Sequence, residues 1–531
     1  MAATEFKQAA AGTADGLPAI EIYSTLTKKK TPLVTVKPGH VGMYLCGPTV
    51  YKPSHIGHMV GPVIFDTIKR YLEYSGWQVT WVVNITDIDD KIIAESAARG
   101  TTMAKLAAEM TADYLENLAA LGVESIDAMP KATEHIGTIS AFIEGLIGKG
   151  YAYASDGDVY FDVTKDADYG KLTNRSVDSM QGEGGSTAER KRSPADFALW
   201  KKAKPGEPSF ESPWGPGRPG WHIECSAMSR AILGEHFDIH GGGLDLIFPH
   251  HENEIAQSES LHDRPMASYW MHNGLMQAAG TAGKVGGRPR DPEPAAGLDD
   301  AAAQAATKIS KSTGAEPFKN LLSRHRAEVI RVLLLSTHYR SPIHFGEEPL
   351  GESGRAMEAF ERLFTRFQRV SGHSFYALRY RDRRAGNAAV TLAGDEVKSL
   401  RNTFLAAMDD DFNTAIAMAT LFDFVRVVNR FIDQQGLEKQ SQPEAVSQLN
   451  AMMLVLRELT GTLGLFAKEP PTRVGGADDG LLGKLMELII EIRARARAGK
   501  DFATADLVRN KLTEAGVVLE DRADGTQWSR K

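Results

Sequence analysis

The feature that most constrains the fold is an apolar strand followed by an amphipathic helix and a second apolar strand. Residues 41–46 (VGMYLC) are apolar and stop at Gly47-Pro48, which is typical of a buried strand. Apolar residues then recur four apart at Val60, Ile64 and Ile68 and predict a helix that ends at Gly76. Residues 77–85 (WQVTWVVNI) are aromatic and β-branched and predict the next strand. This order indicates a parallel α/β sheet with right-handed crossovers.

The pattern that follows predicts where this α/β domain is interrupted. We expect three helices, each ended by a glycine, at 88–99, 103–121 and 133–149. Residues 151–219 contain a strand at 158–163 but are otherwise rich in Gly, Pro, Lys and Ser, so we expect a strand-poor connective insertion there. The α/β pattern returns over 220–277, which predicts a domain made of two halves, 18–150 and 220–277.

The rest of the chain divides by composition. We expect a disordered tail at 1–17 and a low-complexity insert at 278–306, which consists largely of Ala, Gly and Pro. After Phe318 the helical period dominates. The predicted helices span 320–336, 350–370, 394–435 and 443–466. A linker at 468–480 leads to a small terminal unit, 481–531, for which we expect two helices and a short strand region.

Composition excludes several classes of protein. Of 531 residues, 42% are hydrophobic and 24% are charged, which is ordinary for a globular chain and excludes a disordered or collagen-like one. The net charge of −7 argues against a globally basic nucleic-acid binder, so any RNA surface must be local. Cys46 and Cys225 are the only cysteines, so we expect a reducing compartment, the cytoplasm, rather than a disulfide framework. No apolar run is long enough to span a membrane.

Two motifs are suited to nucleotide phosphates. His55-Ile-Gly57-His58 follows a strand and opens a helix, where the positive end of the helix dipole favours anions and Gly57 lets the backbone approach a flat base. Lys308-Ile-Ser-Lys311 places two compact positive charges beside hydroxyl groups. Taken alone, the first motif is equally well read as an ordinary helix start, whereas the second is more often a solvated basic turn.

Two further groups could bind metal ions. Cys46 ends a predicted strand, Cys225 is the other cysteine, and His250 and Glu254 are one helical turn apart. Such a set can hold Zn²⁺, but without a CxxC pair the spacing alone favours two unrelated buried cysteines. His251 is an alternative ligand to His250. The carboxylates at 87–90 could bind Mg²⁺ or ribose, although an ordinary helix cap is the commoner role of such a cluster.

Taken together, these motifs resemble one family. Their order along the chain is CGPTVY at 46–51, HIGH at 55–58, NITDIDDK at 84–91, GWHIECS at 220–226, FPHHENEIAQ at 248–257 and KISKS at 308–312. This order resembles the cysteinyl-tRNA synthetases, which are class I aminoacyl-tRNA synthetases. The resemblance extends from about Ile20 to Lys531. It implies a Rossmann-type catalytic domain with a connective insertion, an α-helical bundle and a small mixed anticodon-binding unit.

The resemblance also implies roles for individual residues. It implies that Cys46, Cys225, His250 and Glu254 bind one Zn²⁺ and that the thiolate of the substrate cysteine completes the coordination of this ion. Serine, whose alcohol is harder to ionise than a thiol, would be rejected without an editing site. The implied catalytic and ATP-binding residues are His55, Gly57, His58, Lys308 and Lys311, with Mg²⁺ accompanying ATP. The implied cysteine-pocket residues are Thr86, Trp221, His240 and Asp245.

The implied organisation places a KMSKS-type loop and stem-contact region at 307–345, tRNA-binding helices at 346–470 and anticodon binding at 481–531. The implied substrates are L-cysteine, ATP and tRNA(Cys), and the implied enzyme is a monomer. Three features depart from the family pattern: KISKS is followed by Thr313-Gly314, the low-complexity insert precedes it, and residues 371–392 are irregular and Arg-rich.

Three alternatives remain. A cysteine ligase of the mycothiol type would activate cysteine in the same way but join it to an amino-sugar, and such proteins lack a terminal unit like 481–531. A non-catalytic RNA-binding or zinc-stabilised relative would have lost some motif residues, whereas all are present. A small-molecule adenylyltransferase with a HIGH-type fold would explain neither the cysteine–histidine–glutamate set nor the C-terminal half.

Overall fold

A computed structural model of the chain describes residues 16–174, 190–278, 316–379, 383, 387–440, 442–469, 479–522 and 525–530. Its strands are β1 (Glu21–Ser24), β2 (Lys29–Pro32), β3 (His40–Leu45), β4 (Gln78–Val83), β5 (Ala152–Ser155), β6 (Asp158–Phe161), β7 (Phe197–Lys202), β8 (Gly217–Pro219), β9 (Phe237–Gly243), β10 (Ala267–Asn273), β11 (Met276–Ala278), β12 (Ile343–Phe345), β13 (Val517–Arg522) and β14 (Gly525–Arg530).

Its helices are α1 (Gly57–Tyr74), α2 (Asp90–Ala98), α3 (Met103–Ala120), α4 (Ile136–Gly148), α5 (Trp221–Leu233), α6 (Glu252–His262), α7 (Phe318–Arg324), α8 (Ala327–Leu335), α9 (Glu347–Ser371), α10 (Asn387–Ala393), α11 (Asp395–Asp409), α12 (Thr414–Gln434), α13 (Pro443–Thr462), α14 (Asp479–Ala498) and α15 (Phe502–Glu514). None of these described helices has the length and apolar character needed to cross a membrane.

The α/β region is built on a four-stranded parallel sheet, as the sequence predicts. Its strand order is β10-β9-β3-β4, and every neighbouring pair is parallel. Helix α1 packs closely on this sheet: a Cβ built on Gly241 of β9 would lie 2.0 Å from Cζ of Phe65. Only glycine therefore lets the Phe65 ring rest on the strand backbone. Because the strands are parallel, their carboxyl ends meet at one edge, where α/β sheets bind ligands.

The helices after β4 agree with the predicted pattern. Helices α2, α3 and α4 are each followed by a glycine with positive φ, at Gly100 (62°), Gly122 (75°) and Gly150 (80°). This backbone conformation ends a helix at little cost only when the residue lacks a Cβ. The glycines that predicted the helix ends are therefore the residues that end them.

The expectation that residues 151–219 are poor in strands is wrong. The segment carries a four-stranded antiparallel sheet of order β5-β6-β7-β8. Its strands are only three to six residues long, too short for the alternation of apolar and polar residues to show. Buried Phe161, Leu199 and Trp200 hold it together with α4 and α5. Residues 175–189 of the insertion lie outside the described part.

Two of the long predicted helices are broken. The one predicted at 320–336 is divided into α7 and α8, and the one at 394–435 into α11 and α12. In the second break Asp411 and Phe412 both have positive φ, 59° and 52°. Buried Asp411 accepts hydrogen bonds from the backbone N–H of Tyr23 and the hydroxyl of Tyr339. These partners are distant in sequence, so the helical period alone does not reveal the break.

Residues 468–531 form a separate compact unit. Its described part contains α14, α15 and the antiparallel β13–β14 hairpin, in agreement with the two helices and strand region predicted. Met486, Val517 and Leu519 form its small core. Arg493 binds both carboxylate oxygens of Asp521, at 2.6 and 2.7 Å, and ties α14 to β13.

Candidate active site

The site lies at the carboxyl edge of the parallel sheet. Cys46 directly follows β3, Thr86 lies beyond β4, and His240 in the middle of β9 is level with Tyr44 near the end of β3. Cys225 comes from α5, and Glu254 comes from α6. Three strands and two helices thus deliver polar side chains to one place, although these residues span more than two hundred positions of sequence.

The four predicted metal ligands converge. The Sγ atoms of Cys46 and Cys225 lie 3.7 Å apart. Cys46 Sγ is 3.4 Å from Oε1 of Glu254, and His250 Nε2 is 3.1 Å from the same oxygen. One donor atom from each of the four residues lies within 4.8 Å of all the others.

These distances match the edges of a zinc tetrahedron. Ligand atoms held at about 2.0–2.3 Å from one Zn²⁺ ion lie about 3.3–3.8 Å from one another. The measured separations of 3.1–3.7 Å are close to that range. The two sulfurs are too far apart for a disulfide, and both cysteines are free. The donor set and its geometry therefore fit a tetrahedral metal ion with borderline-soft preferences.

Burial determines the protonation of these groups. Burial raises the pKa of the Cys46 thiol well above its usual value and also raises that of Cys225. It lowers the pKa of His250 well below its usual value, so this imidazole is neutral. A neutral imidazole is the form that ligates metals, whereas each thiol must lose its proton. A cation is the natural compensation for thiolates in such a place.

A second, overlapping group uses His251. Its members are Cys46, His240, His251 and Glu254, and their donor atoms also lie within 4.8 Å of one another. His251 Nε2 is 3.3 Å from Cys46 Sγ, whereas it is 4.0 Å from Oε1 of Glu254. His250 makes the shorter contact with Glu254, and its group includes both thiols. The structure thus keeps both histidines at the site and favours His250 on donor chemistry.

Two of the four predicted cysteine-pocket residues contact the donor residues. The Trp221 ring stacks on the His250 ring, with centroids 4.1 Å apart. His240 Nε2 lies 2.8 Å from Oε2 of Glu254. The Thr86 hydroxyl donates to Oε2 of Glu224, also at 2.8 Å. The other member, Asp245, lies in the wall of an adjacent cavity.

The two histidines of the HIGH motif flank the first residue of α1, His55 just before the helix and His58 within its first turn. Their rings stack with centroids 3.9 Å apart. The backbone N–H of Gly57 donates to Nδ1 of His55 at 3.1 Å, and that of His55 donates to Nδ1 of His58 at 3.3 Å. Because each Nδ1 accepts, the neutral imidazole carries its proton on Nε2. Both rings are thus oriented as Nε2–H donors at the positive end of an 18-residue helix.

A cavity of about 160 Å³ lies between the start of α1 and the ends of β3, β9 and β10. Gly57 and His58 line it on the helix side, and Asp245 and Asn273 on the strand side. It borders Cys46 and so adjoins the donor cluster. The predicted ATP-binding residues at 55–58 therefore adjoin the candidate metal centre.

Two other predicted groups have different outcomes. In the 87–90 cluster, Asp89 caps α2 by accepting from the backbone N–H of Lys91, and Asp90 pairs with Arg218. The ordinary helix-cap reading of that cluster is therefore confirmed. Lys308 and Lys311 lie outside the described residues.

Sequence reasoning missed the histidines behind the ligands. His222 Nδ1 lies 2.9 Å from His250 Nδ1, and His272 Nε2 lies 2.7 Å from His251 Nδ1. Burial lowers the pKa of both His222 and His272 to about 3, so both are neutral. The sequence did contain a signal for them. More histidines lie near Cys225 and near the strands of this region than a single metal ion needs as ligands.

Known family models match three parts of the chain. Residues 32–282 match the tRNA synthetases class I (C) catalytic domain. Residues 403–467 match the DALR domain, and residues 486–528 match the cysteinyl-tRNA ligase anticodon binding domain.

Similar proteins cover nearly the whole chain. A cysteine–tRNA ligase of Thioalkalivibrio sulfidiphilus is 44% identical over 515 residues, 96% of this chain and 100% of the relative. One of Pelotomaculum thermopropionicum is 41% identical over 522 residues, again 96% and 100%. Mycobacterium tuberculosis methionyl-tRNA synthetase bound by methionyl-adenylate matches 80% of this chain and 91% of its own, with a TM-score of 0.56. At 13% identity that last likeness concerns the fold alone.

Proposed function

The chain belongs to the cysteine–tRNA ligase family of class I aminoacyl-tRNA synthetases, and we propose which of its residues carry out the two steps of that reaction. The enzyme activates cysteine with ATP and attaches it to tRNA. In the first step the cysteine carboxylate attacks the α-phosphorus of ATP, forming cysteinyl-adenylate and releasing pyrophosphate. In the second, a hydroxyl of the terminal tRNA ribose attacks the acyl carbon and AMP leaves.

We propose that Cys46, Cys225, His250 and Glu254 hold one Zn²⁺. The convergence of their four donor atoms carries this proposal, because the separations fit a zinc tetrahedron. Bound there, zinc would supply a Lewis acid that binds a thiol as its thiolate. A serine hydroxyl ionises far less readily and is a harder ligand, so selection of cysteine needs no editing.

His55 and His58 act on the phosphates. Their Nε2–H groups donate to oxygens that gain negative charge as the α-phosphorus is attacked. Gly57 packs against the nucleotide, and the dipole of α1 adds to the stabilisation. Lys308 and Lys311 pair with the phosphates of the same ATP, and Mg²⁺ accompanies it. Positioning and charge stabilisation, rather than a strong base, carry both steps.

The remaining pocket residues position the cysteine. Trp221 and His240 contact the metal-ligand side chains His250 and Glu254, and thereby fix where the substrate thiol is held. The hydroxyl of Thr86 and the carboxylate of Asp245 lie at the same sheet edge and line the pocket for the substrate cysteine.

The rest of the chain handles tRNA(Cys). We assign tRNA binding to the helices of 346–470 and anticodon recognition to 481–531, since the matched DALR and anticodon binding models fall within these segments. The two halves 18–150 and 220–277 hold the chemistry, with 151–219 as connective insertion and 307–345 as the KMSKS-loop region. We also propose that the enzyme works as a cytoplasmic monomer.

Pyrophosphate exchange tests the first step. With ATP and reduced L-cysteine the purified protein is expected to exchange labelled pyrophosphate into ATP, whereas L-serine supports none. Transfer is then measured with tRNA(Cys) and, separately, with an amino-sugar acceptor of the mycothiol type. Exchange with serine contradicts the thiolate selection, and transfer to the amino-sugar instead of tRNA contradicts the assigned acceptor.

A further inference from the structure

We propose that Asn273 selects adenine in the ATP site by accepting a hydrogen bond from the 6-amino group of the base. This inference rests on the proposed function, because it concerns the nucleotide used in the first step. Asn273 is the last residue of β10, opposite Gly243 at the end of β9. It is 4% exposed and lines the cavity beside α1.

The orientation of the Asn273 amide follows from its surroundings. Nδ2 donates to the backbone carbonyl of Gly274 at 3.1 Å. Turning the amide over would place two oxygens against each other there, so the nitrogen must face Gly274. Oδ1 therefore points away from Gly274, and it has no hydrogen-bond partner among the described residues. A buried carbonyl oxygen without a donor is costly, so its natural partner is the N–H or O–H group of a ligand or of a bound water.

The shape of the cavity favours a flat base at this oxygen. Gly57 and Gly61 lie one turn apart on α1 and both line the cavity, so that stretch of wall carries no side chain. A Cβ built on Gly61 would lie 3.6 Å from Oδ1 of Asn273. The oxygen thus lies beside the bare strip of helix. The remaining lining is largely aliphatic, with Leu45, Val60, Leu275 and Met276, which suits an aromatic ring better than a sugar or phosphate.

The reacting groups of both substrates are assigned to other parts of this cavity. His58, proposed to donate hydrogen bonds to the phosphates, and Cys46, the proposed metal ligand, both line it. The phosphates of ATP and the substrate cysteine therefore occupy the parts beside His58 and Cys46. The adenine base is then the part of ATP that lies against the backbone of Gly57 and Gly61. Adenine presents an amino group at position 6, whereas guanine and hypoxanthine present an oxygen, which the fixed Asn273 oxygen repels.

The test compares nucleotides in cysteine-dependent pyrophosphate exchange. The probes are ATP, purine riboside triphosphate, which lacks the 6-amino group, ITP and 2′-deoxyATP. For the unaltered enzyme, kcat/KM is expected to be about 10- to 100-fold lower with purine riboside triphosphate than with ATP, since the acceptor is left unpaired. ITP is expected to be worse still. If the unaltered enzyme shows no exchange even with ATP, the proposed function itself fails.

Asn273→Leu then isolates the oxygen. The variant is expected to lose activity with ATP but to treat ATP and purine riboside triphosphate alike, within about threefold. Asn450→Leu is the matched control, because Asn450 also has a buried side-chain oxygen with no partner in the described part of the chain but lies in α13. Its ATP preference is expected to equal that of the unaltered enzyme. Asn273→Ser, which is smaller and withdraws the acceptor, serves the same purpose if the leucine variant does not fold.

Three results overturn the proposal. One is an unaltered enzyme that uses ATP and purine riboside triphosphate equally well. Another is an Asn273 variant that loses activity with both nucleotides in the same proportion, which indicates a structural role. The third is a variant that changes the preference between ATP and 2′-deoxyATP while keeping that for the 6-amino group, because the oxygen then reads the ribose.

Discussion

The chain buries two polar clusters of opposite character. One is centred on Asp66 in α1 and Arg331 in α8, which are 0% and 1% exposed. Their side chains are paired with each other, and Asp66 also accepts from Arg70. Arg331 donates to the backbone carbonyls of Leu121 and Leu463, at 3.0 and 2.8 Å. Each buried charge of this cluster thus has a partner of opposite sign, and the cluster joins α1 to α8 and to the ends of α3 and α13.

The other cluster is the candidate metal centre. Its thiols, imidazole and carboxylate converge, but the ion pairs described for Glu254 involve only histidines. Burial lowers the pKa of two of those three, His250 and His251, which keeps them neutral. No lysine or arginine among its described partners balances the carboxylate. Burial alone therefore does not mark a functional site. The buried charges of the first cluster pair with each other, whereas the second cluster is the candidate for a bound cation.

The largest expected effect comes from removing a thiol of the second cluster. Cys225→Ser replaces a soft thiolate by a hydroxyl that zinc cannot readily ionise. We expect most of the bound zinc to be lost and cysteine activation to fall by more than about 100-fold, beyond the usual effect of an outer-shell change. Metal analysis and pyrophosphate exchange measure both. Full zinc content in this variant would contradict the assigned ligand set.

How far the sequence predicts these clusters depends on the range of the contacts. The parallel sheet and α1 follow from local periodicity. The four proposed ligands were named through the family resemblance, and the structure brings them together while their role stays a prediction. Arg331 could not be predicted as buried, because its partner Asp66 is 265 positions away. The backbone at Phe248, just before His250 and His251, is irregular, so helical spacing does not predict which of the two faces the thiols.

The first cluster should respond to mutation in a different way. Arg331→Met removes the buried partner of Asp66 and leaves only Arg70, whose side chain is 29% exposed, to pair with that carboxylate. The free energy of unfolding is therefore expected to fall by about 3 kcal/mol. Replacing both residues, Asp66→Leu with Arg331→Met, removes the buried carboxylate as well and should restore part of that stability. Chemical denaturation measures the loss. Zinc content per folded molecule should stay unchanged, and its loss would show that the two clusters are not independent.

A weaker effect is expected from the histidines behind the metal ligands, and it distinguishes His250 from His251 as the ligand. If Nε2 of His250 binds zinc, its Nδ1–H donates to His222, and His222→Phe removes that support. If His251 is the ligand instead, its Nδ1–H donates to His272, and His272→Phe is the harmful change. Loss of such an outer partner typically costs about 10- to 100-fold in metal affinity.

The pair of variants therefore forms its own control. Both replace a buried neutral histidine by a ring of similar size, so nonspecific packing damage should be alike. Competition with a zinc chelator is expected to show weaker binding for His222→Phe and near-normal binding for His272→Phe. The reverse order would assign His251 as the ligand and leave His250 in the supporting position. Equal weakening in both variants would mean that the imidazoles act as one network. If a single hydrogen bond supported the zinc ligand, only one of the two partners, His222 or His272, would matter.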